Sequence, residues 1–85
     1  MAKVQQLVLD VLKPHQPNAL EFARAIASLG PDYRVSVRVT EVDEQTETLQ
    51  VRIEGEALEF ERIADTIREN GASLHSIDEV SVSGG

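Results

Sequence analysis

Leu7-Val8-Leu9-Asp10-Val11-Leu12 decides the fold, because it is apolar at five of its six positions and breaks off at Lys13-Pro14. An apolar run of this length, rich in branched side chains and ended by a proline, reads as a buried strand. A strand with neighbours on both sides tends to be apolar almost throughout, which places this one at the centre of a sheet.

The other segments arrange themselves around it. Lys13-Pro14-His15-Gln16-Pro17 is a stiff connection with two prolines. Asn18 then offers a helix N-cap, with Glu21 three residues on as in a capping box. Phe22, Ala23, Ile26, Ala27 and Leu29 form one apolar stripe, and Gly30-Pro31 stops the helix. Val35, Val37 and Val39 alternate with Ser36, Arg38 and Thr40, the signature of a half-buried strand. Asp43-Glu44-Gln45 is a polar turn. Leu49, Val51 and Ile53 then alternate with Thr48, Gln50, Arg52 and Glu54, which completes a hairpin. Gly55 ends that strand. A second helix is expected to begin near Glu56–Leu58, with Phe60, Ile63, Ala64 and Ile67 on its apolar side, and to close at Asn70-Gly71. A last strand runs from about Ser73 to Val82, its alternation slipping across Asp78-Glu79 as at a bulge. Residues 83–85 are a flexible tail.

The order strand-helix-strand, strand-helix-strand predicts one α+β domain over residues 1–85, a ferredoxin-like βαββαβ sandwich with a four-stranded antiparallel sheet. Right-handed crossovers put both helices on one face. The first and third strands lie inside and the second and fourth at the edges. Ala19-Leu20-Glu21-Phe22 recurs as Ala57-Leu58-Glu59-Phe60, with Arg24 and Arg62 each two residues beyond. This repeat is expected at the same structural place in each half.

Charge and composition exclude several functions. With 15 acidic and 8 basic residues the net charge is -7. That disfavours nucleic acid, whose phosphates need clustered lysine and arginine, and an anionic membrane surface. There is no cysteine, hence no disulfide and no thiolate metal site. No run reaches the roughly 18 apolar residues of a membrane span, and Met1–Gln6 does not resemble a signal peptide. A soluble cytoplasmic protein is expected.

If Leu7, Leu9 and Val11 face the helices, then Val8, Asp10 and Leu12 face away, beside Arg38, Arg52 and Glu54. A polar sheet face with cross-strand charge pairs is the plain reading. The sharper one is a ligand or docking face on which a second copy covers Val8 and Leu12. Two open edges point the same way, so the expected partner is the protein itself.

The chain has two histidines, His15 and His75, sixty positions apart. The topology brings the end of the first strand beside the start of the fourth, near the turn at Asp43-Glu44. Imidazoles with carboxylates can bind a divalent transition metal, and His15, His75 and Asp78 are the candidate ligands. Histidines at strand ends are more often ordinary surface residues. Asp10 and Asp78 are candidates to face each other, at a register the sequence does not fix. No phosphate loop, HExxH, CxxC or GxSxG motif occurs, and no serine sits in a nucleophile turn. No catalysis is expected.

Leu9-Asp10-Val11-Leu12-Lys13-Pro14-His15 and His75-Ser76-Ile77-Asp78-Glu79-Val80, together with Ile53-Glu54-Gly55 and the glycine before the last strand, resemble a small archaeal family. It is known as domain of unknown function two-hundred-and-eleven. The resemblance covers nearly the whole chain. It implies a ferredoxin-like fold, an archaeal source and assembly into oligomeric rings, and it implies no reaction. The favoured expectation is a homo-oligomeric binding or regulatory module. The alternative is a divalent-metal-binding protein using the two histidines and nearby carboxylates.

Overall fold

The computed structural model describes residues 1–85. Its elements are β1 (Lys3–Pro14), α1 (Ala19–Ala27), β2 (Arg34–Val42), β3 (Thr46–Glu54), α2 (Phe60–Glu69) and β4 (Ser73–Ser83). The decisive hexapeptide lies within β1, paired antiparallel to β3 on one side and to β4 on the other. The sheet order is β2-β3-β1-β4, so this is a ferredoxin-like α+β sandwich.

Parity along the strands sorts the side chains. Leu7, Leu9 and Val11 of β1 and Leu49, Val51 and Ile53 of β3 form one buried cluster with Phe22 and Ile26 of α1 and Ile63 and Ile67 of α2. Both helices therefore cover the same side of the sheet. Burying each of these side chains contributes about 1.5–3 kcal/mol. The helices are short for this sheet. A 12-residue strand spans about 40 Å, whereas helices of 9 and 10 residues span only about 15 Å. The molecule is accordingly elongated, 45 × 22 × 17 Å, and parts of the helix side of the sheet stay bare.

Local chemistry sets the helix ends. Asn18 caps α1, its Oδ1 accepting from the Glu21 N–H at 2.9 Å. The helix stops at Ala27, before Gly30: the Ser28 N–H makes the last helical bond, to the Arg24 carbonyl that its hydroxyl also reaches, and the Leu29 N–H then turns to the Ile26 carbonyl only three residues back. α2 begins at Phe60, later than the sequence suggests. The Gly55 and Leu58 N–H groups donate to the Gln5 and Val4 carbonyls at 3.2 and 2.7 Å, so 55–58 runs beside β1 instead of coiling. Asp32 and Tyr33 finish the job: Asp32 Oδ2 accepts from the Glu56 N–H at 2.7 Å and the Tyr33 hydroxyl from the Glu59 N–H at 2.9 Å. At the far end Gly71 takes φ 79°. Its N–H donates to the Arg68 carbonyl and that of Ala72 to the Ile67 carbonyl, the paired bonds of a Schellman motif.

The late start of α2 displaces the repeated tetrapeptide. Ala19–Phe22 is the first turn of α1, whereas Ala57–Glu59 precedes α2. Leu20 is consequently exposed and Leu58 buried. What the two copies share is an ion pair three residues apart, Glu21–Arg24 at 3.4 Å and Glu59–Arg62 at 3.1 Å.

β4 is irregular in the manner its sequence suggests. Register shifts leave His75 and Asp78 unmatched between Leu74, Ser76, Ile77 and Glu79. A further shift in β2 leaves Thr40 unmatched and puts Glu41 opposite Thr48. No helix is long and apolar enough to cross a membrane.

Candidate functional site

The side of the sheet away from the helices is the first candidate. Cross-strand partners give its rows. Ser36, Arg52, Val8 and Glu79 form one, and Arg38, Gln50, Asp10 and Ser76 the next. Arg34, Glu54, Gln6 and Ser81 form a third on one flank. All six residues singled out on this face are therefore neighbours or near-neighbours on it, with Leu12 at its end opposite Thr48 and Ser73.

Val8 behaves differently from its expected role. It is only 3% exposed in the single chain, although it is not part of the core cluster. Its side chain lies on the face without helices, opposite Arg52 and Glu79, whose aliphatic stems are long enough to cover a small neighbour. Val8 thus leaves no apolar patch for a second copy to cover. Apart from Met1 and Leu20 of α1, the exposed large apolar residues are at the sheet edges: Val39 and Val42 on β2, and Ile77, Val80 and Val82 on β4.

The arginines are sorted by element. Those on helices, Arg24, Arg62 and Arg68, each pair with a carboxylate three residues earlier. Those on the sheet, Arg34, Arg38 and Arg52, take part in none of the ion pairs of the molecule. Two of them, Arg38 and Arg52, line a shallow hollow of about 250 Å³ with Ser36, Val37 and Gln50.

The second candidate is the end of the sheet where β1 meets the β2–β3 turn. Lys13 continues the inward row Leu7, Leu9, Val11 and is fully buried. Its ammonium donates to the Pro14 carbonyl at 2.7 Å and to those of His15 and Pro17, and lies 3.1 Å from Glu47 Oε1, its partner across β1 and β3. Glu47 Oε1 is itself buried, and the ammonium 3.1 Å away is the charge that meets it. His15 closes the cluster. Its Nδ1 is 3.2 Å from Glu47 Oε2, and its Nε2 is 3.0 and 3.1 Å from the Asp43 and Glu44 carbonyls. Every partner of this ring is an acceptor, so both nitrogens are satisfied only when both carry protons. The hydrogen bond to Glu47 raises the His15 pKa above the usual 6.5, helped by the two turn carbonyls and opposed by desolvation. Lys13, and after it His15, hold the Glu47 carboxyl below its usual 4.5.

The two histidines do not share a site. His75 Nδ1 lies 4.0 Å from Asp10 Oδ2. Asp78 accepts a 2.7 Å hydrogen bond from the Ser76 hydroxyl. His15 is engaged on the β3 side, whereas β4 lies on the other side of β1. No group of three or more His, Cys, Asp or Glu side chains that could hold a metal ion is present. Asp10 stands opposite Ser76, so it does not face Asp78 directly.

Lys13, Glu47, Asp32 and Tyr33 have structural roles that the motif search passes over. For Lys13 and Glu47 a signal exists: both continue the inward parity of their strands.

A family described as uncharacterized ArCR, domain of unknown function two-hundred-and-eleven, matches residues 5–85. A protein of Methanocaldococcus jannaschii, itself described as uncharacterized, is 41% identical over 80 residues, which are 94% of this chain and 82% of that protein.

Proposed function

The chain belongs to the uncharacterised archaeal ArCR family, and from that premise we propose that it is a self-assembling binding module whose copies join sheet edge to sheet edge. The reading sets it in the cytoplasm and ascribes to it binding, not catalysis.

The observation that carries it is that the two free edges complement each other on both faces. β4 runs opposite to β1, and β2 runs parallel to β1 because each is antiparallel to β3. A neighbour's β2 laid along β4 therefore extends the antiparallel ladder. On the helix side, half-exposed Ile77, Val80 and Val82 would meet Val39 and Val42. On the open side, Glu79 would meet Arg34. A β4–β4 contact would set acid against acid, which costs stability, and a β2–β2 contact would leave Ile77, Val80 and Val82 uncovered. Head-to-tail contact follows, which builds a ring when the rotation between copies closes, and a ring is the form this reading takes. An apolar hollow of about 300 Å³ between α2 and β4, lined by Ala64, Ile67, Ala72 and Leu74 among others, adds depth to one edge.

The metal-binding alternative has less support, since His15 and His75 are each engaged elsewhere.

The test is a charge exchange read by native mass. E79R alone and R34E alone should each shift the protein toward its 9.3 kDa monomer, with circular dichroism unchanged. The double variant should assemble again. Single variants with the wild-type mass would overturn edge-to-edge assembly.

A further inference from the structure

The unpaired arginines of the open face have a ligand chemistry of their own. Arg38 stands opposite Gln50 and Arg52 opposite Ser36. The two arginines are thus diagonal neighbours on one face, about 7–8 Å apart or a little less. Like charges at that spacing repel, and in a chain of net charge -7 carboxylates to offset them are plentiful. The three helix arginines have such partners and these two do not. Asp10, on the next strand, lies instead toward His75.

The hollow that Arg38 and Arg52 line is furnished by donors: two guanidinium forks, the Ser36 hydroxyl and the Gln50 amide, with no carboxylate among its walls. Guanidinium forks match oxyanions with two parallel hydrogen bonds each. A single carboxylate occupies one fork. A phosphoryl dianion has the oxygens and the charge for both.

We propose that the hollow between β2 and β3 binds a phosphoryl group, either inorganic phosphate or a phosphate monoester, bridged between Arg38 and Arg52. Nucleic acid is not the ligand, because its affinity grows from many phosphate contacts and this face offers few. The proposal rests on the binding-module reading for the choice of the open face and names the class of ligand that face takes. It does not need the edges to be joined, since Arg52 is on an inner strand.

Isothermal titration calorimetry on the full chain, dialysed free of phosphate, tests it at constant ionic strength. Inorganic phosphate, glycerol phosphate and acetate are titrated separately, with native mass measured on the same samples. Saturable binding of phosphate or of glycerol phosphate, but not of acetate, is expected. Tighter binding of one over the other identifies the source. R52Q should weaken binding by about tenfold or more. R52K, which keeps the charge and loses the fork, should fall between. R24Q, on α1 and outside the hollow, should bind as wild type. Heat changes no greater than those of acetate overturn the proposal, as does R52Q binding like wild type. A 9.3 kDa mass with phosphate binding intact would sink the assembly reading alone. An intact oligomer without binding would sink this one alone.

Discussion

Lys13 shows how one residue can hold a sheet end together. A buried ammonium is tolerable only when its protons are accepted and its charge is met. Here the carbonyls of Pro14, His15 and Pro17, together with Glu47, do both. Lys13→Met keeps the stem and removes the charge, leaving carbonyls and a carboxylate unmatched. Urea unfolding should show a loss of about 3 kcal/mol, and the double variant K13M/E47L should lose less than the two single losses summed. Additive losses would mean that the pair does not act as a unit. His15 adds a pH dependence whose sign is fixed. Its folded pKa is raised, so its contribution is complete below 6.5 and is lost as pH rises through the higher folded value. Glu47 is lowered, so its contribution is complete above 4.5 and is lost as pH falls through the lower folded value. Stability should therefore hold between these values and decline on the alkaline side, and H15Q should remove that alkaline decline when unfolding midpoints are measured across pH. An unchanged profile in H15Q would show that the ring's hydrogen bonds carry no weight. Much of this cluster was legible: parity points Lys13 and Glu47 inward on paired strands. Motif reasoning instead joined His15 to His75, because topology brings strand ends together without stating which side of β1 each side chain serves.

At the scale of elements, α1 could be read from its own residues and α2 could not. Asn18 and Glu21 fix the start of α1 locally. The start of α2 is fixed from a distance, by Val4 and Gln5 carbonyls and by the Tyr33 hydroxyl. Such partners have no short-range signature, which is why the sequence places that helix a turn early and misaligns the repeated tetrapeptide. Tyr33→Phe leaves the Glu59 N–H without its acceptor and should cost about 1 kcal/mol in chemical denaturation. Gly30 is bound to the same ring, since a Cβ there would come within 2.7 Å of Tyr33. At the other end, Gly71→Ala forces a side chain into φ 79° and should cost about 1–2 kcal/mol. Nothing but open contact surrounds that site, with Pro14 at 3.6 Å, so the loss would come from the backbone alone. An unaffected G71A would mean that α2 can end in another way.

For the whole molecule, the mismatch between long strands and short helices governs what is left exposed. Alternation within β2 and β4 made the sheet and its edges legible, down to the slip at Asp78. It did not reveal how far the helices would fall short, because helix coverage depends on where α2 begins. Nor did it show that Val8 is sheltered within one chain, since alternation says which face a residue is on and not how its neighbours across three strands pack over it. The consequence is that apolar surface sits on the rims and not on the open face. Val80→Lys should therefore weaken assembly while leaving the monomer folded, whereas a substitution at Val8 should act on monomer stability. The most direct measurement is the sedimentation mass of the unaltered chain at micromolar concentration. Edge-to-edge joining predicts one discrete, closed multiple of 9.3 kDa. A 9.3 kDa species alone would contradict it.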